Sequence, residues 1–322
     1  MLNTTSTQAG ADLDPGVRDF IRITGEAYVT HGSDLEKTVV NARQVAEKVR
    51  APWVQGGPVM FSTVEQSVPT PHGPVRIRVY NPDSTANKPA MIYIHGGGWV
   101  MFSIDTHDRI MREYAARAGI CVIGVDYSLS PEACFPVALE EVVAVVHHVR
   151  NQASSLGIDR DRLALGGDSA GANLSLSTAL HLRNTSALHG LRTLVLNYGA
   201  FGTDLSPRDV RNYGGPQYML TANEMAYFWT QYLSTTDDRT NPLAVPLLAD
   251  LHDLPPVFVC VPQCDVLTTQ SLDLDARLKT AGVQTRTIVY AGASHSFLEA
   301  VSISAVAEQA FADTTVWLQQ HI

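Results

Sequence analysis

The sequence predicts an α/β fold built on a mostly parallel sheet. Three features predict it: short β-branched runs recur along the chain, helical patterns separate them, and several of those patterns end on glycine. The first run, Val75–Tyr80 (VRIRVY), alternates apolar and basic residues and reads as an edge or antiparallel strand. Ala90–Ile94, Cys121–Val125, Leu163–Leu165, Thr193–Tyr198, Val257–Val261 and Thr285–Tyr290 follow, most of them short and continuously apolar. That is the composition of strands covered on both faces. Helical patterns lie between them at His107–Ala118, Val137–Leu156, Ala170–Arg183, Thr269–Ala281 and Ser304–Gln320. Gly119, Gly157 and Gly282 are placed to close three of these helices.

Two stretches break the alternation. Residues 1–55 read as two amphipathic helices, and about 203–245 is rich in Tyr, Asn, Gly and Pro with a short helix near Glu224–Leu233. Neither holds a core strand, and an insertion of this length in an α/β domain is usually a lid or binding segment. Both are assigned to one helical cap over a catalytic domain spanning 56–322.

The chain has 322 residues, long enough for two domains or one large α/β unit. Its 23 Lys+Arg against 32 Asp+Glu give a formal charge of -9, which argues against nucleic acid or another polyanion as partner. Hydrophobic residues make up 45%, too many for a disordered chain, yet no apolar run approaches the ~18 residues of a membrane span. The first residues carry neither a basic nor an apolar signal segment, so a cytoplasmic location is expected. The four cysteines read as reduced thiols. Cys260 and Cys264, on an extended segment, would stand ~13 Å apart against the ~7 Å limit for a disulfide.

Chemistry concentrates at strand ends. Gly167-Asp168-Ser169-Ala170-Gly171 follows the strand LAL and opens a helix, the context in which G-x-S-x-G forms a nucleophile elbow. Small flanking residues let strand and helix approach at a sharp turn, and the serine meets the positive end of the helix. The pattern alone is weak, arising by chance roughly 0.1 times in a chain of this composition. His95-Gly96-Gly97-Gly98-Trp99, after AMIYI, is more specific: with 11 His and 23 Gly its H-G-G-G part alone arises by chance ~0.004 times. Consecutive glycines can turn N–H groups inward as an oxyanion hole, joined by the N–H of the residue after the nucleophile, Ala170.

A serine nucleophile needs a histidine base oriented by a carboxylate. Loops at the carboxyl ends of later strands supply both: Asp265 after VFVCV and His295 after TRTIVY. The order Ser169, Asp265, His295 is the one such hydrolases use. Asp204, just after TLVLNYGAFG, is the rival acid. Histidines 31, 107, 147, 148, 181 and 189 fall on helical or cap stretches and read as satisfied or solvated side chains. No H-E-x-x-H or clustered His/Cys spacing supports a zinc hydrolase.

From about residue 60 onward the chain resembles the hormone-sensitive lipase family of α/β-hydrolase carboxylesterases, closest to its bacterial acetyl esterase branch. The resemblance rests on HGGGW at 95–99, DYSLSPE at 126–132, FP at 135–136, GDSAGANL at 167–174, YGAFG at 198–202, DVL at 265–267 and HSF at 295–297. It implies an α/β-hydrolase fold with a helical cap, a catalytic triad of Ser169, Asp265 and His295, an oxyanion hole from Gly97, Gly98 and Ala170, and no cofactor or metal. Three positions depart from the family pattern. Val266 stands where Pro is common, Glu141 where Asp is common, and Ser128 where Arg is usual. None removes a catalytic atom. Glu132 is assigned as a buried structural acid, and Asp168 as a brace of the elbow.

The expected reaction is hydrolysis of short-acyl carboxylic esters, acetyl to about hexanoyl, through an acyl-enzyme. Trp99, Tyr198 and Tyr213, with Tyr218, Tyr227, Phe228 and Trp229, are candidates to close a substrate pocket, and the cap aromatics fit a cap core equally well. An amidase or arylformamidase uses the same triad and stays open as an alternative. A non-catalytic ligand-binding protein on this fold typically lacks the histidine, which is present here. A homodimer through an edge strand is possible on this fold.

Overall fold

The computed structural model describes residues 12–32 and 38–322. Eight strands form one sheet: β1 Ser62–Thr70, β2 Gly73–Asn81, β3 Lys88–Ile94, β4 Cys121–Asp126, β5 Ile158–Asp168, β6 Leu191–Asn197, β7 Val257–Cys264 and β8 Thr285–Ser294. Their order is β1-β2-β4-β3-β5-β6-β7-β8. β2 runs antiparallel to both β1 and β4, and every other pair is parallel. β2 is thus antiparallel, as its alternation predicts, but it is not an edge. β1 lies outside it, and its sequence STVEQSVPT is too polar to read as a strand because only Val68 is buried. β8 continues through Ser294, where the sequence suggests a loop after Tyr290.

Among the described residues ten α-helices accompany the sheet: α1 Pro15–Gly32, α2 Val39–Arg50, α3 Asp108–Ala118, α4 Val137–Asn151, α5 Ala153–Leu156, α6 Ala170–Asn184, α7 Pro207–Tyr213, α8 Ala222–Tyr232, α9 Thr268–Thr280 and α10 Ala305–His321. The long pattern at 137–156 divides into α4 and α5 at Gln152. Gly119 and Gly157 take left-handed backbone at φ 67° and 69° as C-caps, geometry that costs an L-residue strain.

Side chains alternate across the strands, so the core splits into two layers. Ala90, Ile92 and Ile94 of β3 face α4, α6 and α9, whereas Met91 and Tyr93 face α3 and α10. Either face is sealed, which is why the central strands read as unbroken apolar runs. The four cysteines are free, three of them buried. Among the described residues no helix is long and apolar enough to cross a membrane.

Helices α1 and α2 form a cap at the carboxyl end of the sheet, and α7 and α8 rise from the insertion between β6 and β7. The expectation for residues 1–55 falls in part on 1–11 and 33–37, which lie outside the described residues. Arg43 of α2 ties the cap down. Its Nε donates to the Val100 carbonyl (2.8 Å), its Nη2 to the Ser130 carbonyl (2.7 Å), and its guanidinium pairs with both oxygens of Glu132 (3.0 and 2.7 Å). Glu132 is therefore not a buried acid: its side chain is 58% exposed and grips the cap.

Candidate active site

β5 delivers Ser169 to the head of α6. Its φ of 53° and ψ of -119° are strained for an L-residue. The flanking glycines explain how the turn closes. A Cβ on Gly167 would sit 2.3 Å from the Ile94 carbonyl oxygen and one on Gly171 1.9 Å from the same atom. Only hydrogen at both positions lets α6 pack this close to β3.

Asp265 follows β7 and His295 follows β8. His295 Nε2 lies 3.0 Å from Ser169 Oγ, and its Nδ1 lies 2.7 Å from Asp265 Oδ2. With the proton on Nδ1 facing the carboxylate, Nε2 accepts from the serine hydroxyl. Asp265 is held in turn by the Leu267 N–H, which donates to Oδ1 at 3.0 Å. Burial works against a charged imidazole at position 295, but the Asp265 carboxylate outweighs it and raises the histidine above its ordinary range. Ser294 Oγ donates to the carbonyls of Tyr218 (2.5 Å) and Cys264 (3.0 Å), fixing the histidine loop to both the cap and β7. The rival acid Asp204 is solvent-exposed, and its carbonyl is taken by Gln270.

The glycine loop crosses above the serine. Gly97 and Gly98 have φ of 111° and 60°. Among the described residues the N–H groups of Gly97, Gly98 and Ala170 donate to no backbone acceptor outside regular elements. Ala170 is the first residue of its helix, where an N–H has no intrahelical partner. Asp168 braces this loop: its Oδ1 accepts from Tyr93 Oη (2.7 Å) and Gly96 N–H (3.2 Å), and its Oδ2 faces His107 Nε2 at 3.3 Å. Burial opposes the ionised form of Asp168, yet His107 holds the carboxyl below its usual value. His107, assigned from sequence as a satisfied helical residue, is buried as the partner of that brace.

Ser169 and His295 open into a cavity of about 270 Å³. Its wall comes from α1 (Ile21, Thr24, Tyr28), Arg50 of α2, the loop residues Met101 and Phe102, and the cap residues Met219, Leu220 and Phe228. Of the seven aromatics expected to close the pocket, Phe228 is in that wall and the other six, Tyr218, Tyr227 and Trp229 among them, lie elsewhere. Trp99 is fully buried and stacks on Tyr232 at 4.2 Å, because the loop turns its indole into the cap core. Tyr198 is fully buried behind His295, its ring edge-on at 5.1 Å. Tyr213 packs against Tyr218 at 5.2 Å, outside the cavity. Arg50, Tyr28, Met101 and Phe102 carry no motif, and sequence reasoning misses them. Among the described residues no group of three or more His, Cys, Asp or Glu is arranged to hold a metal ion.

A family model described as alpha/beta hydrolase fold matches residues 91–299. An acetyl esterase of Salmonella agona is 36% identical over 263 residues, covering 81% of this chain and 80% of that protein. Among solved structures, a hyperthermophilic esterase from the archaeon Pyrobaculum calidifontis superposes with a TM-score of 0.88 at 32% identity, covering 96% of this chain and 98% of that one. EstE1, a thermostable carboxylesterase cloned from a metagenomic library, gives a TM-score of 0.85 at 30% identity, with 88% and 97% covered.

Proposed function

The chain belongs to the hormone-sensitive lipase family of α/β hydrolases and is a carboxylic ester hydrolase of the acetyl esterase type, and from that premise we propose that it cleaves short-acyl esters through a Ser169 acyl-enzyme. The observation that carries this reading is the continuous relay from Ser169 Oγ to His295 to Asp265, at 3.0 and 2.7 Å.

His295 Nε2 takes the hydroxyl proton as Ser169 Oγ attacks the ester carbonyl, and Asp265 stabilises the imidazolium and fixes its orientation. The tetrahedral oxyanion lies against the N–H groups of Gly97, Gly98 and Ala170, donors preorganised by the loop and by the helix terminus. His295 then protonates the leaving alkoxide. Water, deprotonated by the same imidazole, attacks the acyl-enzyme and frees the acid. A cavity of about 270 Å³ is slightly smaller than most ligand pockets, which run ~300–1,000 Å³, and this supports acyl groups from acetyl to about hexanoyl.

Ser169→Ala is expected to abolish hydrolysis of p-nitrophenyl acetate, and residual activity within about tenfold of wild type refutes the assignment, since loss of a triad member costs far more. A p-nitrophenyl series from acetyl to decanoyl tests chain length. A maximum beyond octanoyl overturns the short-acyl reading.

A further inference from the structure

Arg50, the last residue of α2, lines the same cavity as Ser169 and His295 although it is only 2% exposed. The rings of Phe102, Phe20 and Tyr28 surround its guanidinium carbon at 4.9, 5.3 and 5.9 Å. Glu299 faces it, with Oε2 2.7 Å from Nε. That contact lacks the alignment of a hydrogen bond, so Nε and Nη1 of Arg50 and both oxygens of Glu299 are buried without a hydrogen-bond partner. A tie that served only to clamp the cap would satisfy these atoms, as Arg43 does at the cap's other anchor. Nε and Nη1 are sealed from the cavity, which leaves Nη2, a donor with no acceptor among the described residues, as the nitrogen that faces it; an unmet donor on a cavity wall marks the place of a ligand acceptor.

We propose that Arg50 is a specificity residue of the esterase site, selecting esters that carry a neutral acceptor oxygen (ether, hydroxyl or carbonyl) away from the scissile carbonyl. The inference rests on the esterase reading above. Neutrality follows from the charges around the guanidinium. Glu299 already compensates the guanidinium, and Glu224 also lines the cavity, so an anionic substituent meets two carboxylates for one cation. A wholly alkyl ester leaves the guanidinium desolvated and unbonded, whereas an acceptor oxygen satisfies it.

Isosteric pairs read this selectivity without interference from intrinsic reactivity: p-nitrophenyl methoxypropionate against pentanoate for the acyl side, and methoxyethyl acetate against butyl acetate for the alcohol side. The oxygen-to-alkyl ratio of kcat/KM is compared between wild type and R50M/E299Q, which removes both charges together and leaves neither orphaned. In at least one pair the ratio is expected to fall about tenfold or more, the factor of a hydrogen bond to a charged donor. A smaller fall in both pairs overturns the proposal, because a structural role lowers both members alike. Should the double variant not fold, E299Q decides. It leaves the cation uncompensated, and p-nitrophenyl hydrogen glutarate is then expected to gain about tenfold on pentanoate relative to wild type; no gain overturns the proposal. Wild-type turnover of the plain alkyl esters reports separately on the esterase reading, which fails only if that turnover is absent.

Discussion

Gly97→Ala isolates the oxyanion loop from the triad. At φ 111° an L-residue is strained, and a Cβ there would lie 2.1 Å from the Met101 carbonyl oxygen and 2.8 Å from its carbon. Those are backbone atoms, and they cannot recede freely. The N–H groups of Val100 and Met101 both donate to the Gly97 carbonyl, at 3.1 and 2.9 Å, so moving Met101 opens the turn that aims the glycine N–H groups. Losing one preorganised donor costs about 3–4 kcal/mol, or roughly a hundredfold to thousandfold in kcat. Gly98→Ala is the control. Its φ of 60° is tolerable left-handed backbone, and its Cβ would meet the Phe228 side chain at 2.3 Å rather than backbone. Its intrinsic strain is only about 1–2 kcal/mol, and adding Phe228→Ala should return much of the lost rate. The assay is kcat and KM on p-nitrophenyl acetate, with thermal melting to confirm the fold. Gly97→Ala within about tenfold of wild type, at unchanged Tm, would refute the oxyanion role, because the expected loss is ten to a hundred times larger.

Asp265→Asn should lower kcat by about four orders of magnitude while Asp204→Asn leaves it unchanged; the reverse outcome in steady-state assays would move the acid to the earlier loop. Because the neutral imidazole is the base and Asp265 raises His295, the acidic limb of the kcat/KM profile should have its midpoint above the ordinary histidine value of 6.5, and a midpoint below it contradicts the pairing. Asp168→Asn breaks the buried contact with His107 and should cost about 3–5 kcal/mol in urea unfolding; a loss under 1 kcal/mol would show that the brace contributes little. Arg43→Ala should expose the α1–α2 segment to limited proteolysis faster than wild type, since it removes four donated bonds at once.

What the sequence could and could not reveal divides along physical lines. The central strands and the elbow were legible because burial on both faces demands apolar runs and because a sharp strand-to-helix turn demands glycine. β1 was not, since an exposed edge paired on one side asks little of its side chains. Trp99 and Arg50 show the opposite error in the site. An aromatic next to the glycine loop looks like pocket wall, yet backbone at φ 61° sends it into the cap core. An arginine at the end of an amphipathic helix looks like a solvated residue or a helix-dipole partner. Only the tertiary arrangement of α1, α2 and the loop after Gly98 buries it against the cavity.

The departures from the family pattern show why single positions mislead. Ser128 and Glu141 each look like the loss of a partner when read alone. In the fold they meet: the Ser128 N–H and Oγ donate to the two oxygens of Glu141, both at 2.7 Å. Serine is too short to reach out as arginine does, and glutamate is one methylene longer than aspartate, so the carboxylate comes to the loop instead of the loop's side chain to the carboxylate. Nearby, Glu132 pairs with Arg43, a residue of the cap. The loop that follows β4 is bound on one side to α4 through Glu141 and on the other to α2 through Arg43. Ser128 and Glu141 hold the loop within the catalytic domain, while Glu132 ties it through Arg43 to the cap, on the same helix that seven residues further along places Arg50 in the wall of the cavity.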